Sequence, residues 1–591
     1  MVLGSVGIIA AGAANAQNPT PVPSPTPEIL STVARPLPPL PDLHRVGIIG
    51  DTPIALALND AIRRALANNN NIDIARDSVL IAETSLQSLQ GAYDPVFTFN
   101  PVYTNSTQAN SQVFNGASSS TIRNTTFQTN ADVTKFFEYG GGTYTAFFNN
   151  TRTSGNSSLF SVSYRPILGI QFTQPLLRNR SIDNTRRNIL IAKKFLQQTD
   201  LDFRRSAMDV IQATQRAYWD LVFALRNQQN RIDNLNLSRE NLRRVEAQIA
   251  AGAAAPIARA EINTELANRE ADLLVATQSV SIAENTLKGL VLRDPTAPEW
   301  TAAITPTDAP VIDNNPVDLN AALNAARANR PELQRLALQK DINQVDLRYF
   351  RNQTKPRIDL TSTLSTNGLA GTPRSGVVAD TTAPLISTNP ADINIDANAF
   401  LLNQVNILRV NAGLPPIVPP NVTISGGSTI PSDLQGGFGR SLSNAFNFDT
   451  RTIEFGVVIQ FPFRNRTAEA NLAGARVQEH QIETQSREQE QLIVAEVRNA
   501  VQAVETARLR VVAARTAREN AEIQLAGENR LFQVGRSTTF LLFQRENELA
   551  AARTAEVQSE TDYNKAVADL QRATSTTLTS NNVTVQSPVG P

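Results

Sequence analysis

Two stretches constrain this chain more than anything else in it. Asp183 to Ala251 contains neither proline nor glycine, and a near twin of equal length runs from Asn465 to Gln533. An unbroken helix of either length measures about 100 Å at ~1.5 Å per residue, against the three or four turns of an ordinary globular helix. Arg186, Lys193, Asp202, Glu240 and Glu246 recur along the first, and neither holds an apolar run near the ~20 residues of a membrane-crossing helix. Helices of this length and polarity have to lie against other helices.

With 54 basic and 54 acidic residues in 591, the chain offers no electrostatic attraction to nucleic acid or to an anionic surface. Cysteine is absent and histidine occurs twice, as His44 and His480. Thiol catalysis, cysteine zinc sites, disulfides and lipid attachment at an N-terminal cysteine are thereby removed. An apolar, small-residue stretch from Val2 leads to Ala14-Asn15-Ala16 before Gln17, an A-x-A cleavage pattern. Residues 1–16 therefore read as an export signal without its basic start, as a start codon placed too late would leave it; the plain alternative is an ordinary apolar N-terminal segment. Residues 17–52 are proline-rich and read as an extended linker.

Helical periodicity starts near Pro53 and reaches about Gln90. From Asp94 the period changes to two: Phe97, Phe99 and Tyr103 alternate with Thr98, Asn100 and Thr104. Further strand signals cover 127–135, 143–151 and 159–173. Alternation of this kind suits a membrane barrel, apolar toward lipid and polar toward the lumen, and equally a half-buried soluble sheet. The first long helix follows, ending at Gly252, a glycine suited to the left-handed position after a helix, with Pro256 opening a helix to about Leu292. After a connecting segment, 293–316, the series restarts: a helix over 317–350, a strand over 356–364, a loop over 365–450 with a short helix near 397–410, and a strand over 451–463. In that strand Ile453, Phe455, Val457 and Ile459 alternate with Glu454, Gly456, Val458 and Gln460. The second long helix, a helix over 537–575 and a disordered tail over 577–591 complete it.

The halves 53–292 and 317–576 align without gaps over two blocks. Gly169 and Pro175 match Gly456 and Pro462; Gly252, Glu265, Leu266, Ala267 and Leu287 match Gly535, Glu548, Leu549, Ala550 and Leu570. A whole helix, strand, strand, helix, helix unit is duplicated.

Long helices joined to amphipathic strands at proline-marked corners, QPLLRNR and FPFRNR, with AQIAAGAAAPIARAEINTELA and LFQVGRSTTFLLFQRENELAAARTAEVQSETDYNKAVADLQRAT at the hairpins, resemble the TolC family of outer-membrane efflux proteins. The resemblance extends from Pro53 to Thr576. It implies an α+β membrane protein, a homotrimer whose transmembrane β-barrel is continued by a long periplasmic α-helical barrel, internally duplicated. It also implies a passive duct in the outer membrane of a Gram-negative bacterium. The partners would be a periplasmic adaptor (membrane fusion) protein and an inner-membrane pump in tripartite efflux or type I secretion. Pro175 and Pro462 would mark the barrel-to-helix corners, and Ile453, Phe455, Val457 and Ile459 would face outer-membrane lipid. Family members contribute about four strands each. The region 127–151 departs from that count as an extra hairpin, expected to extend the extracellular end, with a larger barrel left open.

The resemblance places Gly252 and Gly535 at periplasmic hairpin tips that close the channel and meet the adaptor, with Phe532 and Val534 beside the second glycine. The best-known members carry acidic residues six and nine positions after the second tip glycine. Here those positions are Leu541 and Gln544, and the matching ones after Gly252 are Ala258 and Glu261. Only Glu261 could supply an acidic ring, with Arg259 and Arg536 as basic neighbours, so a polar or partly apolar constriction is expected; the bland alternative is that these three solvate a helix face.

No Walker A sequence, His-Glu-x-x-His or dinucleotide fingerprint occurs, and an enzyme, a metal site or a cofactor is not expected. His480 reads as a surface residue, Tyr218 and Trp219 as packing residues, and the many Glu and Arg residues of the helices as solvated faces and i to i+4 pairs. The rival reading is a periplasmic coiled-coil adaptor or a structural surface protein without channel activity, against which the strand at Ile453 speaks.

Overall fold

The computed structural model describes residues 45–49, 53–109, 121–156, 158–253, 255–374, 381–389, 391, 396–424 and 430–587. The export signal, nearly all of the linker and His44 lie outside them. The elements are β1 (Ile54–Leu56), α1 (Leu58–Asn68), α2 (Asn70–Gln90), β2 (Val96–Ala109), β3 (Thr121–Phe136), β4 (Thr143–Gly155), β5 (Phe160–Pro175), α3 (Asn184–Ala250) and α4 (Ile257–Val291). They continue with β6 (Ile304–Pro306), α5 (Leu319–Asn329), α6 (Pro331–Gln353), β7 (Arg357–Asn367), β8 (Ala370–Pro373), β9 (Thr381–Pro384), α7 (Ala397–Asn411), β10 (Asn421–Ile424), α8 (Phe438–Phe446) and β11 (Arg451–Gln460). Last come α9 (Arg466–Gln533), α10 (Thr539–Ala573) and α11 (Thr577–Ser580); α11 opens the stretch expected to be a disordered tail, its turn closed by Asn581 Nδ2 donating to the Thr577 carbonyl at 2.7 Å. With 67 residues in α3 and 68 in α9, both long helices are uninterrupted.

Where single helices are expected over 53–90 and 317–350, the structure breaks each in two. Asn69 stops the first, its side chain accepting the backbone N–H of Asn71 at 2.9 Å as an N-cap. Pro331 breaks the second: it cannot donate to the preceding turn, so it becomes the first residue of α6. Ile54–Leu56 is not helical at all but pairs in parallel with Ile304–Pro306, a partner 250 residues away that no local period reveals. The stretch 365–450, expected to be a loop with one short helix, also carries β8, β9, β10 and α8.

The chain forms two compact units, one of residues up to 62, 214–315 and 505–566, the other of residues 63–213, 316–504 and 567 onward. In the first, Tyr218 is fully buried on α3. Its hydroxyl donates toward the Leu56 carbonyl at 3.1 Å and the Asp308 carboxylate at 2.8 Å, and accepts the N–H groups of Thr307 and Asp308 at 3.1 Å each. Burial above all pushes this phenol up to about 12. Trp219 stands edge-on to it at 5.5 Å between ring centroids. Glu284 and Lys288 of α4 are buried and paired at 3.4 Å; Glu284 also pairs with Arg45 and accepts the Ile304 N–H at 2.6 Å. Lys288 donates to the Trp300 carbonyl at 2.8 Å, and burial draws its pKa below the ordinary lysine value. Tyr218→Phe is expected to cost about 1 kcal/mol, the usual net worth of a hydrogen bond, because the Asp308 carboxylate and N–H lose the hydroxyl while the Thr307 N–H keeps the Leu56 carbonyl at 3.2 Å. Thermal unfolding of this unit checks it.

In the second unit, Ala322, Ala326, Ile493, Val497 and Ala573 form a small-residue core. Beside it, buried Arg330 donates to the Ala573 carbonyl at 2.8 Å and pairs with Glu496 and Glu332. The main sheet has the order β11-β7-β5-β4-β3-β2, antiparallel throughout, with β8 added on β5. Facing residues of antiparallel strands point to the same side. One register row therefore runs Phe97, Val133, Ala146, Ile170, Leu364, Ile453 across all six strands. A row of the opposite side runs Val96, Thr134, Thr145, Gln171, Thr363, Glu454, polar after its first member, with the Thr134 and Thr145 hydroxyls 3.0 Å apart. The sheet is thus apolar on one side and polar on the other, and α8 packs on the apolar side through Thr366 and Tyr164.

The hairpin of β3 and β4 does not extend one end of the sheet. It stands between β2 and β5 in continuous register, Val96 to Ala109 against β3 and Thr143 to Ser154 against β5, because its residues carry the same two-sided alternation as their neighbours. Its turn sits at the corner where β5 leads into α3. Gly140 and Gly141 take left-handed φ values of 77° and 67°, and Gln174 Nε2 donates to the Gly140 carbonyl at 2.8 Å. A Cβ on Gly141 would stand 2.7 Å from the Asn179 carbonyl.

Candidate functional site: the hairpin tips and the strand corners

Both long helices end in the same cap. Gly252 N–H donates to Ile249 O at 3.0 Å and Ala253 N–H to Gln248 O at 2.8 Å; Gly535 N–H donates to Phe532 O at 3.0 Å and Arg536 N–H to Leu531 O at 2.9 Å. These are two Schellman motifs, and each glycine has φ +72°. A Cβ at either would meet nothing within 4 Å. Gly252→Ala and Gly535→Ala are therefore each expected to cost only the backbone term, about 1 kcal/mol, read as slightly faster hydrogen exchange in the adjoining turns.

The residues after the glycines separate into different surroundings. Ala258 is half-buried against the core of Leu235, Leu242, Val245, Ile262, Leu266 and Leu273, which Phe543 of α10 also covers. Arg259 is half-buried and pairs with Glu246 at 3.6 Å. Glu261 and Gln544 come together in one recess of about 680 Å³, with Phe540 and Phe543 in its wall. Gln544 also donates to Glu548 at 3.1 Å. Leu541, Val534 and Arg536 are exposed and Phe532 is half-buried; none of them lines that recess.

Above this recess lies a polar network that the sequence reading passed over as solvated charge. Arg269 of α4 is 6 % exposed and Glu546 of α10 is 4 % exposed. The Arg269 guanidinium donates to Glu265 at 2.8 Å, the Asn234 carbonyl at 2.9 Å, Asn547 at 3.2 Å and Glu546 at 3.5 Å. Asn241 of α3 donates to the other Glu546 oxygen at 2.9 Å. Burial pushes the Glu546 carboxyl above the ordinary glutamate range, and the Asn241 amide and Arg269 oppose it. The first hairpin is thereby joined to α10. A signal for it exists in the sequence: Arg269 falls on the Ile262, Leu266, Leu273 stripe and Glu546 between Leu542 and Leu549, positions where a solvated charge would not sit.

At the strand corners, Pro175 ends β5 opposite Asp359, and Pro462 follows β11. Arg178 donates to Gln353 at 2.7 Å, Asn179 N–H to Asn352 at 2.6 Å, and Asn465 to the Gln353 carbonyl at 3.1 Å. Both corners are tied to the last residues of α6, buried Asn352 and Gln353, which the sequence did not single out. Ile453, Phe455, Val457 and Ile459 are all exposed on the apolar side of the sheet. His480 is exposed on α9. Among the described residues no helix is long and apolar enough to cross a membrane, and no cluster of His, Asp and Glu could hold a metal ion.

No family model matches the chain, and no curated protein matches it in sequence. Solved structures do match. The outer-membrane channel OprN aligns with TM-score 0.56 and 15% identity over 88% of this chain and 89% of its own. The CmeC outer membrane channel of Campylobacter jejuni gives 0.55 and 14% over 89% and 90%. The outer membrane protein VceC of Vibrio cholerae gives 0.55 and 14% over 88% and 95%. The chain has the fold of these outer-membrane channels, as its resemblance to the TolC family of outer-membrane efflux proteins implied.

Proposed function

We propose that the chain is one of three identical subunits of an outer-membrane channel-tunnel, a passive exit duct working with a periplasmic adaptor and an inner-membrane pump. The observation that carries this reading is the main sheet. Beyond the part that α8 covers, it exposes an apolar side, which a soluble protein would cover, and it ends in two unpaired edge strands, β2 and β11. Bare strand edges are not tolerated in hydrocarbon, so neighbouring copies would join β2 to β11 and close a barrel. The likeness to outer-membrane channels along nearly the whole chain supports the same conclusion, and the repeated order of helices and strands supports a duplicated origin. On this reading Ile453, Phe455, Val457 and Ile459 face lipid, while Pro175 and Pro462 turn the wall from strand to helix. Gly252, Gly535 and the residues after them form the gate and the adaptor-docking tips in the periplasm. The constriction is polar with an apolar share, from Glu261, Gln544, Leu541 and Phe540, and energy comes from the pump, which selects the cargo.

The protein expressed with an export signal is expected in the membrane fraction after alkaline washing, and to run as an oligomer that heat converts to monomer. Recovery as a soluble species without detergent would instead favour the adaptor or surface-protein reading.

A further inference from the structure

We infer that the barrel this chain builds has eighteen strands, so that its backbone wall has about half again the radius of one built from four-stranded subunits. The inference rests on the trimeric reading above and adds to it the size of the pore. Six strands of one chain follow one another edge to edge, β11-β7-β5-β4-β3-β2, and three copies of six make eighteen.

The extra pair, β3 and β4, belongs to the wall on three independent grounds. Its strands have 16 and 13 residues, more than the ~9–11 that cross a bilayer. Its pairing with β2 and β5 is unbroken, so it cannot fold away from the sheet without undoing both ladders. Its two-sided pattern also continues that of its neighbours: Val133 and Ala146 lie in the apolar row between Phe97 and Ile170. A hairpin standing in water beyond the membrane has no use for that row. The turn of this hairpin is held by Gln174 at the β5 corner, which fixes it at the helix end of the wall.

Strands about 4.8 Å apart and tilted about 40° give a backbone radius of about 18 Å for eighteen strands and about 12 Å for twelve. After side chains are allowed for, the clear width is about 25 Å against about 13 Å. A packed α-helix is ~10–12 Å across, so the wider outlet admits cargo of macromolecular cross-section in its hydrated state. The row that would line it runs Val96, Thr134, Thr145, Gln171, Thr363 and Glu454, polar at five of its six positions, which suits a water-filled outlet.

The chain contains no cysteine, so a single spin label can be placed by Thr363→Cys, in the polar row of β7, without any background substitution. The measurement is the label-to-label distance in the detergent-purified oligomer, with native mass recorded on the same sample. For three copies the Cα atoms at this position stand about 31 Å apart in an eighteen-stranded wall and about 21 Å apart in a twelve-stranded one. The expected result is a trimer with the longer distance, which shortens by about 10 Å in a second variant that joins β2 directly to β5 and lacks residues 110–159. A trimer of the full chain with the shorter distance would overturn the wide barrel and leave the channel reading standing. A particle that is not a trimer, including a dimer that closes twelve strands, would overturn both. The label reports wall size whether the tips are open or closed, and the full-chain distance stands even if the shortened variant does not assemble.

Discussion

Replacing Arg269 by methionine is expected to loosen the hairpin tips by about 3–5 kcal/mol, the usual cost of removing one partner from a buried ion pair. Glu546 would be left 4 % exposed, with the Asn241 amide and the more distant charge of Arg244 to hold its carboxylate. Hydrogen exchange in α4 and α10 around residues 262–273 and 542–550 reads the effect directly. The double variant Arg269→Met, Glu546→Leu removes both charges from the seam and is expected to recover most of the loss, because an apolar pair of similar volume can replace a buried ion pair at little cost. A single variant within about 1 kcal/mol of the parent, against that expected range, would mean that water reaches these groups.

The same network has a pH signature. Burial raises the Glu546 carboxyl in the folded protein, so folding favours its protonated form. Its contribution is fully present below the unfolded glutamate value and is lost as pH rises through the higher folded value. Glu505 and Glu548 behave in the opposite sense: hydrogen bonds from Arg508 and Arg545 hold their carboxyls below the ordinary value, so their contribution is lost as pH falls. Protection at the tip, taken relative to the intrinsic exchange rate at each pH, should therefore rise on mild acidification, and Glu546→Gln should remove that rise while leaving the acid loss carried by Glu505 and Glu548 in place.

The second large effect is expected in the sheet. Gly169 lies under the Phe147 ring, and a Cβ there would stand 2.7 Å from that ring, 2.8 Å from the Leu364 carbonyl oxygen and 2.8 Å from Ser365 Cβ. The carbonyl is backbone and cannot turn aside without opening the β5–β7 ladder. Gly169→Val is expected to cost about 3 kcal/mol or more, at or beyond the upper end for overpacking, and to abolish the heat-modifiable oligomer. Gly456→Val is the control: a Cβ there meets only the Thr361 hydroxyl, at 2.8 Å, a side-chain atom that can rotate away. That variant is expected to assemble with about 1 kcal/mol lost. Equal behaviour of the two would refute the packing account.

The contrast between these sites bears on what a single sequence can convey. The long helices are legible because nothing between Asp183 and Ala251 interrupts them, and β11 because Ile453, Phe455, Val457 and Ile459 keep a strict period of two. The tips are legible because only glycine takes the left-handed turn cheaply, and both Gly252 and Gly535 do so. Strand order is a long-range property, so the sequence revealed an extra hairpin but not its place inside the sheet. The β1–β6 pair is three residues on each side, too short for any period to show. At the tips, attention to the positions after each glycine found Glu261 and Gln544, which the structure does bring together. It missed Arg269 and Glu546, whose meaning lies in the apolar stripes around them more than in their own identity.

Single-channel recording from the purified oligomer in planar lipid bilayers shows whether this protein is a passive duct, using the parent protein and the tip variant Arg536→Glu. Stepwise conductance is expected, rare or small with the tips closed and larger once the tip carries the added carboxylate. An oligomer that inserts yet never conducts, in the parent or in the tip variant, would contradict it.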